Sequence, residues 1–354
     1  MFIRSYHFNQ ISNISIANLW VKGGSNQDRS GLKGINNILA LLIARGCSNL
    51  SNFELSEIIE SNGADLICET YEDGIFISIK SVKENFNKVF PIIRMIIEKP
   101  NLLEKEFLKC QTNALLTITK SRENPFNKVF ENWRKIVYEK HPYAFDPNGY
   151  EDDIKNICYD DILNEYKNFI SREKILLTNH KQISSIDLNS QIIYNPQDKL
   201  NIEKQNFNVV ENILLDRFAV SYKNTKQVIL MIGNKTCPYF HEDYLELKLL
   251  EAHLSYGMSS VLFKIFREDN GLTYDSGVYY PERMEESPFV IYLSVSEKNS
   301  QKAFILLMKL IKSISTYSLT DKEMKMAKIK LNSSLLHSNQ TLEERLYNKI
   351  RFLK

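Results

Sequence analysis

The chain has 354 residues, of which 43% are hydrophobic, so it is long enough for two domains with separate cores. Its 45 basic and 43 acidic residues nearly balance without a long run of one sign, which argues against nucleic acid or a charged membrane as partner. Neither an export signal nor a stretch of about 18 apolar residues is visible, and no two cysteines form a close pair, so the sequence predicts a cytoplasmic protein without a disulfide framework or membrane span.

The first elements of the chain are a β-rich run and an unusually apolar helix. The run ISIANLWVKGG (14–24) predicts a strand that glycines end. The segment SGLKGINNILALLIARG (30–46) predicts a helix, and between residues 35 and 44 its only polar residues are Asn36 and Asn37. This helix is interpreted either as a buried core helix or as a former chemical site in which functional groups have been replaced by packing.

The remainder of the first half alternates strand and helix patterns. Asn62-Gly63 predicts a turn, and IFISIKSV (75–82) predicts a half-buried strand. After Pro100, apolar residues at helical spacing predict a helix that packs one face on a sheet: Leu103, Phe107, Cys110, Ala114 and Ile118. A further helix over about 159–170 and the strand KILLTNH (174–180) follow.

The second half repeats this order of elements. It contains the β-rich KQVILMIG (226–233), a second Asn-Gly at 270–271, the strand FVIYLSV (289–295) and two helical patterns that end near residue 337. The duplication predicts an α+β fold with two homologous domains, each a mixed or antiparallel sheet with helices on one face. The expected domains are residues 1–188 and 206–354, joined by a polar linker at 189–205.

The second copy of the repeat is shorter than the first. Residues 102–106 align with residues 319–323, so the second copy has no counterpart of the helix and strand at 159–180. The second domain is either naturally abbreviated or truncated by about 50 residues. A truncation would leave one sheet edge unpaired.

Two motifs give the chain a family resemblance. With two homologous halves, the apolar helix at 30–46 and REDNGLTY at 267–274, the chain resembles the pitrilysin/insulinase family of zinc peptidases over residues 14–350. In catalytic members the first helix carries His-x-x-Glu-His, followed by a basic residue and glycine. Because Arg45-Gly46 holds that trailing place, the resemblance puts residues 37–41 on the zinc motif.

The resemblance implies that this zinc motif is degenerate. Asn37 and Leu41 stand where two histidine ligands would be, Ala40 stands at the general base, and Thr117 falls at the third ligand, a glutamate in the family. An inverted zinc motif needs two imidazoles on one helix face and a carboxylate that polarises the metal-bound water. None of these groups is present, so we expect no intact catalytic residue, no metal and no cofactor in this chain.

The second half keeps the other part of the family's site. The resemblance implies that Arg267 and Tyr274, seven residues apart, bind the substrate carbonyl opposite the zinc of the other half. Both side chains are donors suited to a developing oxyanion. Two plainer interpretations remain open: Arg267 as a cation at a helix C-terminus capped by Gly271, and Tyr274 as an ordinary strand aromatic.

Other candidate residues receive structural interpretations. His141, in EKHPYAFDPNG, is interpreted as a structural loop residue, and His241 and His253 lack the i, i+4 spacing of a ligand pair. Glu72 and Asp73 predict a turn. The stretch YYPERMEESPF (279–289) predicts a hairpin-like turn whose charges face solvent.

Three hypotheses of function follow. In the first, the chain is a non-catalytic subunit of a zinc peptidase heterodimer: it supplies Arg267, Tyr274 and a chamber wall, while a paralogue with His-x-x-Glu-His supplies the zinc, and the two enclose an unfolded peptide. The second hypothesis is an inert scaffold or peptide-binding protein of the same fold. The third is an unrelated α+β enzyme that acts through His141 or a cysteine.

Overall fold

The computed structural model describes residues 3–180 except 9 and 11, and residues 218–353 except 223, 224, 315 and 317. The strands are β1 (Ile3–His7), β2 (Ile14–Lys22), β3 (Asp65–Thr70), β4 (Gly74–Val82), β5 (Lys174–Thr178), β6 (Gln227–Lys235), β7 (Thr273–Tyr279) and β8 (Pro288–Ser296). The helices are α1 (Ile35–Ile43), α2 (Asn52–Ser61), α3 (Phe86–Val89), α4 (Pro91–Glu98), α5 (Glu104–Glu123), α6 (Pro125–Tyr138), α7 (Glu151–Asn156), α8 (Tyr159–Ser171), α9 (Tyr244–Ser255), α10 (Ser300–Ile314), α11 (Asp321–His337) and α12 (Leu342–Leu353). The predicted linker at 189–205 lies outside the described residues.

The first sheet is mixed and has the strand order β1-β5-β2-β4-β3. Only the β1–β5 pair is parallel, and the central strand β2 pairs antiparallel with both β4 and β5. Successive side chains of a strand point to opposite faces. On β2, Ala17 and Leu19 therefore enter one apolar core while Ile16 and Trp20 enter another.

The two faces of this sheet carry different helices. One face packs against the larger core, to which helices α1, α4, α5 and α8 contribute. On the opposite face, Leu346, Ile350 and Leu353 of α12 pack against Trp20 and Phe76 of the sheet. The prediction of helices on only one face is therefore wrong for the first sheet, because α12 has an apolar stripe that also needs cover.

The second sheet is antiparallel, with the order β6-β8-β7. This order matches β2-β4-β3 of the first sheet, and the two predicted Asn-Gly turns have nearly the same glycine conformation, with φ of 59° at Gly63 and 58° at Gly271. The predicted duplication and the layered α+β fold are thus confirmed. Within the described residues β6 pairs with β8 alone. No strand there covers the other edge of β6 as β5 covers that edge of β2 in the first sheet.

The residues group into two compact units. The first comprises Met1–Ser121, Phe145–Asn201 and Asn339–Lys354, and the second comprises Arg122–Ala144 and Ile202–Ser338. Helix α6 therefore belongs with the second sheet, where it packs against β6, and α12 belongs with the first, where it packs against β2 and β5. The sequence analysis did not predict this exchange of helices, since it drew each domain as one continuous segment.

No helix in the described part of the chain combines the length and apolar character that crossing a membrane requires. The cytoplasmic location stays a prediction.

Candidate functional site

Helix α1, which was aligned with the zinc motif, is largely a packing helix. Ala40 is fully buried in the core of the first unit, together with Ile38 and Leu39. Asn37 and Leu41, one turn apart, are half-buried, and Leu41 packs against the same core. The side of the helix that carries these two residues therefore presents an amide and an alkyl group.

Thr117, the predicted position of the third ligand, lies on the exposed side of α5. Its hydroxyl donates a hydrogen bond to the carbonyl oxygen of Asn113, one turn earlier, at 2.9 Å. Zinc takes thiolate, imidazole or carboxylate ligands, so an amide, a methyl, an alkyl and a hydroxyl group do not fit it. Among the described residues no three His, Cys, Asp or Glu side chains form a group that could hold a metal ion.

A buried polar network fixes the start of α1. The carboxylate of Asp28 accepts hydrogen bonds from the backbone N–H of Gly34 (2.7 Å) and from the Asn36 side-chain amide (2.7 Å). The side-chain oxygen of Asn36, Oδ1, in turn accepts a hydrogen bond from Arg172 (2.8 Å), which forms an ion pair with Glu165. Asn36 is 0% exposed. It is a structural residue rather than a polar remnant of a site.

Asp28 and Arg172 were not predicted from the sequence, although one local signal was available. Helix α1 begins after Gly34, whose φ of 98° lies in the left-handed region, and an added Cβ there would lie 2.6 Å from the Ile154 side chain. Gly34 gives the helix no side chain for capping, so a remote acceptor is needed. The acidic residue just upstream, Asp28, supplies it.

The stability of α1 is expected to increase as the pH falls from 7 to 4. Burial raises the pKa of Asp28 to about 6, although the hydrogen bonds from Asn36 and Gly34 act to lower it. The folded state then binds the proton more tightly than the unfolded state, so ionisation of Asp28 costs stability as the pH rises through this window. The gain on acidification is about 2 kcal/mol from this group.

Native-state hydrogen exchange of the α1 amides measures this effect. The control is Asp28→Asn, which does not titrate and keeps one carbonyl acceptor for Asn36. Subtracting its pH profile from that of the unaltered chain removes the contribution of all other groups. Parallel profiles for the two proteins would contradict the prediction.

Arg267 lies on a short helical segment, Phe263–Glu268, wound as a π-helix. The wide winding appears in the hydrogen bond from the Asp269 N–H to the carbonyl of Lys264, five residues back, at 2.9 Å. Arg267 is exposed, and its guanidinium lies 5.1 Å from the centroid of the Phe263 ring. The ring supports the cation on the surface without neutralising it.

Tyr274 is the extra residue of a β-bulge at the start of β7. The pairing register with β8 shifts between Thr273 and Asp275, and the Thr273 hydroxyl stabilises the kink by donating to the carbonyl oxygen of Asp275 at 2.6 Å. A bulge redirects the side chain of its unpaired residue. Tyr274 is 93% exposed, and its hydroxyl has no hydrogen-bond partner among the described residues.

The structure connects the Arg267 and Tyr274 elements by one tight turn. Gly271, in the left-handed conformation, donates its N–H to the carbonyl of Arg267 at 3.0 Å, and the Leu272 N–H donates to Phe266 at 2.8 Å. The predicted glycine cap is therefore confirmed. The π-helical segment packs against β7, so both donors project from adjoining pieces of the second unit.

His141 and the loop between β7 and β8 form a structural cluster in the second unit. His141 contacts the Glu285 carboxylate and accepts a hydrogen bond from the Tyr143 N–H at 3.1 Å. Arg283 is buried and lies over the Tyr143 ring, 5.9 Å from its centroid. The expectation that the loop charges simply face solvent is wrong for Arg283, because the segment after α6 packs on this loop.

The remaining candidates belong to no group of three metal ligands within the described part of the chain. His241 precedes α9, and its Nδ1 accepts a hydrogen bond from the Asp243 N–H at 3.2 Å. His253 lies on α9 itself, where burial lowers its pKa. Glu72 and Asp73 are buried in the predicted turn between β3 and β4.

Sequence profiles of one family match both halves of the chain. The profile described as Insulinase (Peptidase family M16) matches residues 6–146, and the profile described as Peptidase M16 inactive domain matches residues 180–331. The chain belongs to the insulinase family. Within the insulinase family, it is 24% identical to an uncharacterized zinc protease of Rickettsia felis over 344 residues, which are 96% of this chain and 81% of that relative.

Two solved structures of other proteins share the fold. A protease from Helicobacter pylori superposes with a TM-score of 0.79 at 19% identity, over 95% of this chain and 83% of that one. A peptidase M16 inactive domain from Pseudomonas fluorescens gives a TM-score of 0.74 at 18% identity, over 94% and 80% of the respective chains.

Among the described residues this member of the insulinase family has no group of metal ligands, which is consistent with a degenerate zinc motif. Its second half matches the inactive-domain profile. The assignment of Asn37, Ala40, Leu41 and Thr117 to individual motif positions stays a prediction, as does a role for Arg267 and Tyr274.

Proposed function

We propose that the chain is the non-catalytic subunit of a two-chain zinc peptidase. In this proposal Arg267 and Tyr274 bind the substrate peptide at the zinc site of a paralogue that carries His-x-x-Glu-His. The observation that supports it best is the β-bulge at Tyr274, which turns a phenolic hydroxyl fully into solvent beside the segment that carries Arg267. A hydroxyl held there contributes nothing to the fold of this chain.

The proposed chemistry of these two residues is electrostatic. The zinc of the partner would supply an activated water. The Arg267 guanidinium and the Tyr274 hydroxyl would donate hydrogen bonds to the carbonyl oxygen of the scissile peptide, whose negative charge grows as the bond is attacked. Phe263 would position Arg267 by holding the guanidinium over its ring.

Two further features support this function. π-Helical turns are frequent at functional sites, and β-bulges often redirect side chains next to active sites. The names of the relatives in the comparison refer to zinc proteases, so the fold occurs in proteins described as proteolytic. An unfolded peptide is the proposed substrate, enclosed between this chain and its partner.

The test is reconstitution with a His-x-x-Glu-His paralogue from the same genome. The two chains are co-expressed, and cleavage of an unstructured fluorogenic peptide is measured for each chain alone and for the pair. We expect the pair to cleave and to lose activity with a chelator, and this chain alone to show no chelator-sensitive cleavage.

Two outcomes would count against the proposal. A pair that is no more active than the paralogue alone would remove the shared site. Stable pairing without a gain in activity would instead support the scaffold hypothesis, in which the chain contributes surface and no chemistry.

A further inference from the structure

A cavity of about 420 Å³ lies within the first unit, between the start of α12 and the face of the sheet that this helix covers. It is distant in sequence from both motifs that carry the family resemblance. Its lining combines a buried amide, carboxylates and aromatic rings, among them Asn18, Glu69, Tyr71, Phe76, Glu344 and Tyr347.

Asn18 provides an unused polar atom at the base of this cavity. It lies on β2 between Ile16 and Trp20 on the α12 side and is 1% exposed. The Ser78 hydroxyl donates to its Oδ1 at 2.8 Å, while its Nδ2 has no hydrogen-bond partner among the described residues. Whichever way round the amide is placed, Ser78 satisfies one end only. Native structures rarely leave a buried amide half-satisfied, so a bound group is an explanation.

Two carboxylates that line the cavity form no ion pair within the part of the chain that the structure describes. Glu69 accepts the Tyr71 hydroxyl through Oε2 at 2.7 Å, and Glu344 caps α12 through Oε2, which accepts from the Thr341 N–H at 3.0 Å. The Oε1 atom of each has no partner among the described residues. The third carboxylate, Glu343, differs because Lys80 pairs with it at 2.9 Å. Glu69 and Glu344, both exposed, therefore line the cavity without an ion pair among the described residues.

Aromatic rings form the apolar part of the same cavity. The Tyr347 hydroxyl donates to the Tyr71 hydroxyl at 2.8 Å, and the Tyr347 ring stands edge-on to Phe76 with the centroids 5.1 Å apart. Aromatic faces and carboxylates together favour a cation that carries apolar atoms, since the ring attracts the charge and covers the carbon chain.

We propose that this cavity binds a small organic cation, an ammonium or guanidinium group on a short apolar chain. The cation lies between the Oε1 atoms of Glu69 and Glu344, and the chain lies against Tyr347 and Phe76. A carbonyl or hydroxyl oxygen elsewhere in the ligand accepts a hydrogen bond from Asn18 Nδ2. The cation belongs either to a free amine or to a basic side chain of a peptide. The proposal is independent of Arg267 and Tyr274, because the cavity lies wholly within the first unit.

Calorimetric titration of the full chain tests this site. The probe is butylguanidinium, and the matched control ligand is N-butylurea, which has nearly the same shape without the charge. We expect butylguanidinium to bind at least tenfold more tightly, since a charge-assisted hydrogen bond is roughly twice as strong as a neutral one.

Variants locate the binding. Glu69→Gln and Glu344→Gln should each weaken butylguanidinium roughly tenfold. Both substitutions keep an acceptor, for the Tyr71 hydroxyl and for the cap of α12 respectively, so the fold is retained. The control is Glu57→Gln, an exposed carboxylate on α2, whose Leu55 packs on the opposite face of the sheet; it should bind like the unaltered chain.

Three results would overturn the proposal: no heat of binding with millimolar butylguanidinium, equal binding of N-butylurea, or variants at Glu69 and Glu344 that bind like Glu57→Gln. An acetylated Gly-Arg-Gly amide identifies the source. Tighter binding of this peptide than of butylguanidinium assigns the site to a peptide side chain, and weaker binding assigns it to a free cation.

Discussion

In the reconstituted pair, Arg267→Ala is expected to lower kcat/KM by roughly 100- to 1,000-fold, and Tyr274→Phe by a comparable factor. Each substitution removes one donor to the developing oxyanion, and a single such donor is commonly worth about 3 to 4 kcal/mol in the transition state. The fall should appear in kcat more than in KM, because the interaction strengthens as charge develops.

Neither substitution should disturb the fold or the pairing of the chains. Tyr274 is almost fully exposed, and the Arg267 guanidinium contacts the Phe263 ring. The matched controls are Tyr222→Phe, at another highly exposed tyrosine, and Lys264→Ala, which removes an exposed cation from the same π-helical segment. Steady-state kinetics on a fluorogenic peptide provide the measurement. Unchanged kcat/KM in a pair that still assembles would refute the shared site.

A carboxylate introduced by Ala40→Glu, at the position predicted for the general base, is expected to destabilise the first unit by about 3 to 5 kcal/mol at pH 7. Ala40 is fully buried among apolar side chains, so the new carboxylate would lose its hydration and gain no partner. Its larger volume would also strain a packed core.

The pH dependence distinguishes loss of hydration from simple overpacking. Burial raises the pKa of a carboxyl group, so the charge-related part of the penalty is present above the unfolded pKa and shrinks as the pH falls. Overpacking does not change with pH. Hydrogen exchange of the α1 amides at pH 7 and pH 5 measures both parts.

The matched control for Ala40→Glu is Asn37→Glu, on the same helix at a half-buried position. There the carboxylate keeps contact with water, and we expect a loss of about 1 kcal/mol or less. Equal losses for the two variants would contradict the view that packing has replaced chemistry at Ala40.

Local and repeated patterns explain how much of the fold the sequence could predict. The two Asn-Gly turns, the strand within residues 14–24 and the apolar stripe of α5 from Phe107 to Ile118 are properties of short segments, and the structure confirms them. Leu103, the first predicted member of that stripe, precedes α5 and is exposed. The location of α12 was not predictable in this way. The stripe of Leu346, Ile350 and Leu353 requires an apolar surface, but it does not specify which of several surfaces in the fold.

The same distinction between local patterns and long-range contacts applies to the candidate sites. The family resemblance led to the proposal of Arg267 and Tyr274, and the Asn-Gly dipeptide placed Gly271 at the end of a helix. The bulge that exposes Tyr274 depends on the register with β8, which lies beyond the reach of a local pattern. The cavity beside α12 could not be predicted from local patterns either, since Asn18 and Tyr347, which both line it, lie near opposite ends of the sequence.

The order in which segments of the two units follow each other along the chain determines which fragments of this protein contain a complete unit. Along the chain the units alternate. Residues 122–144 belong to the second unit although residues of the first unit flank them, and residues 339–354 belong again to the first unit. A fragment that ends at residue 188 therefore lacks α12, and it exposes the apolar face around Trp20 and Phe76 to water. A fragment that begins at residue 206 lacks α6, which packs on β6. One cut between the halves yields two incomplete proteins, so proteolysis or gene fission near the middle of the chain would release pieces that remain dependent on each other.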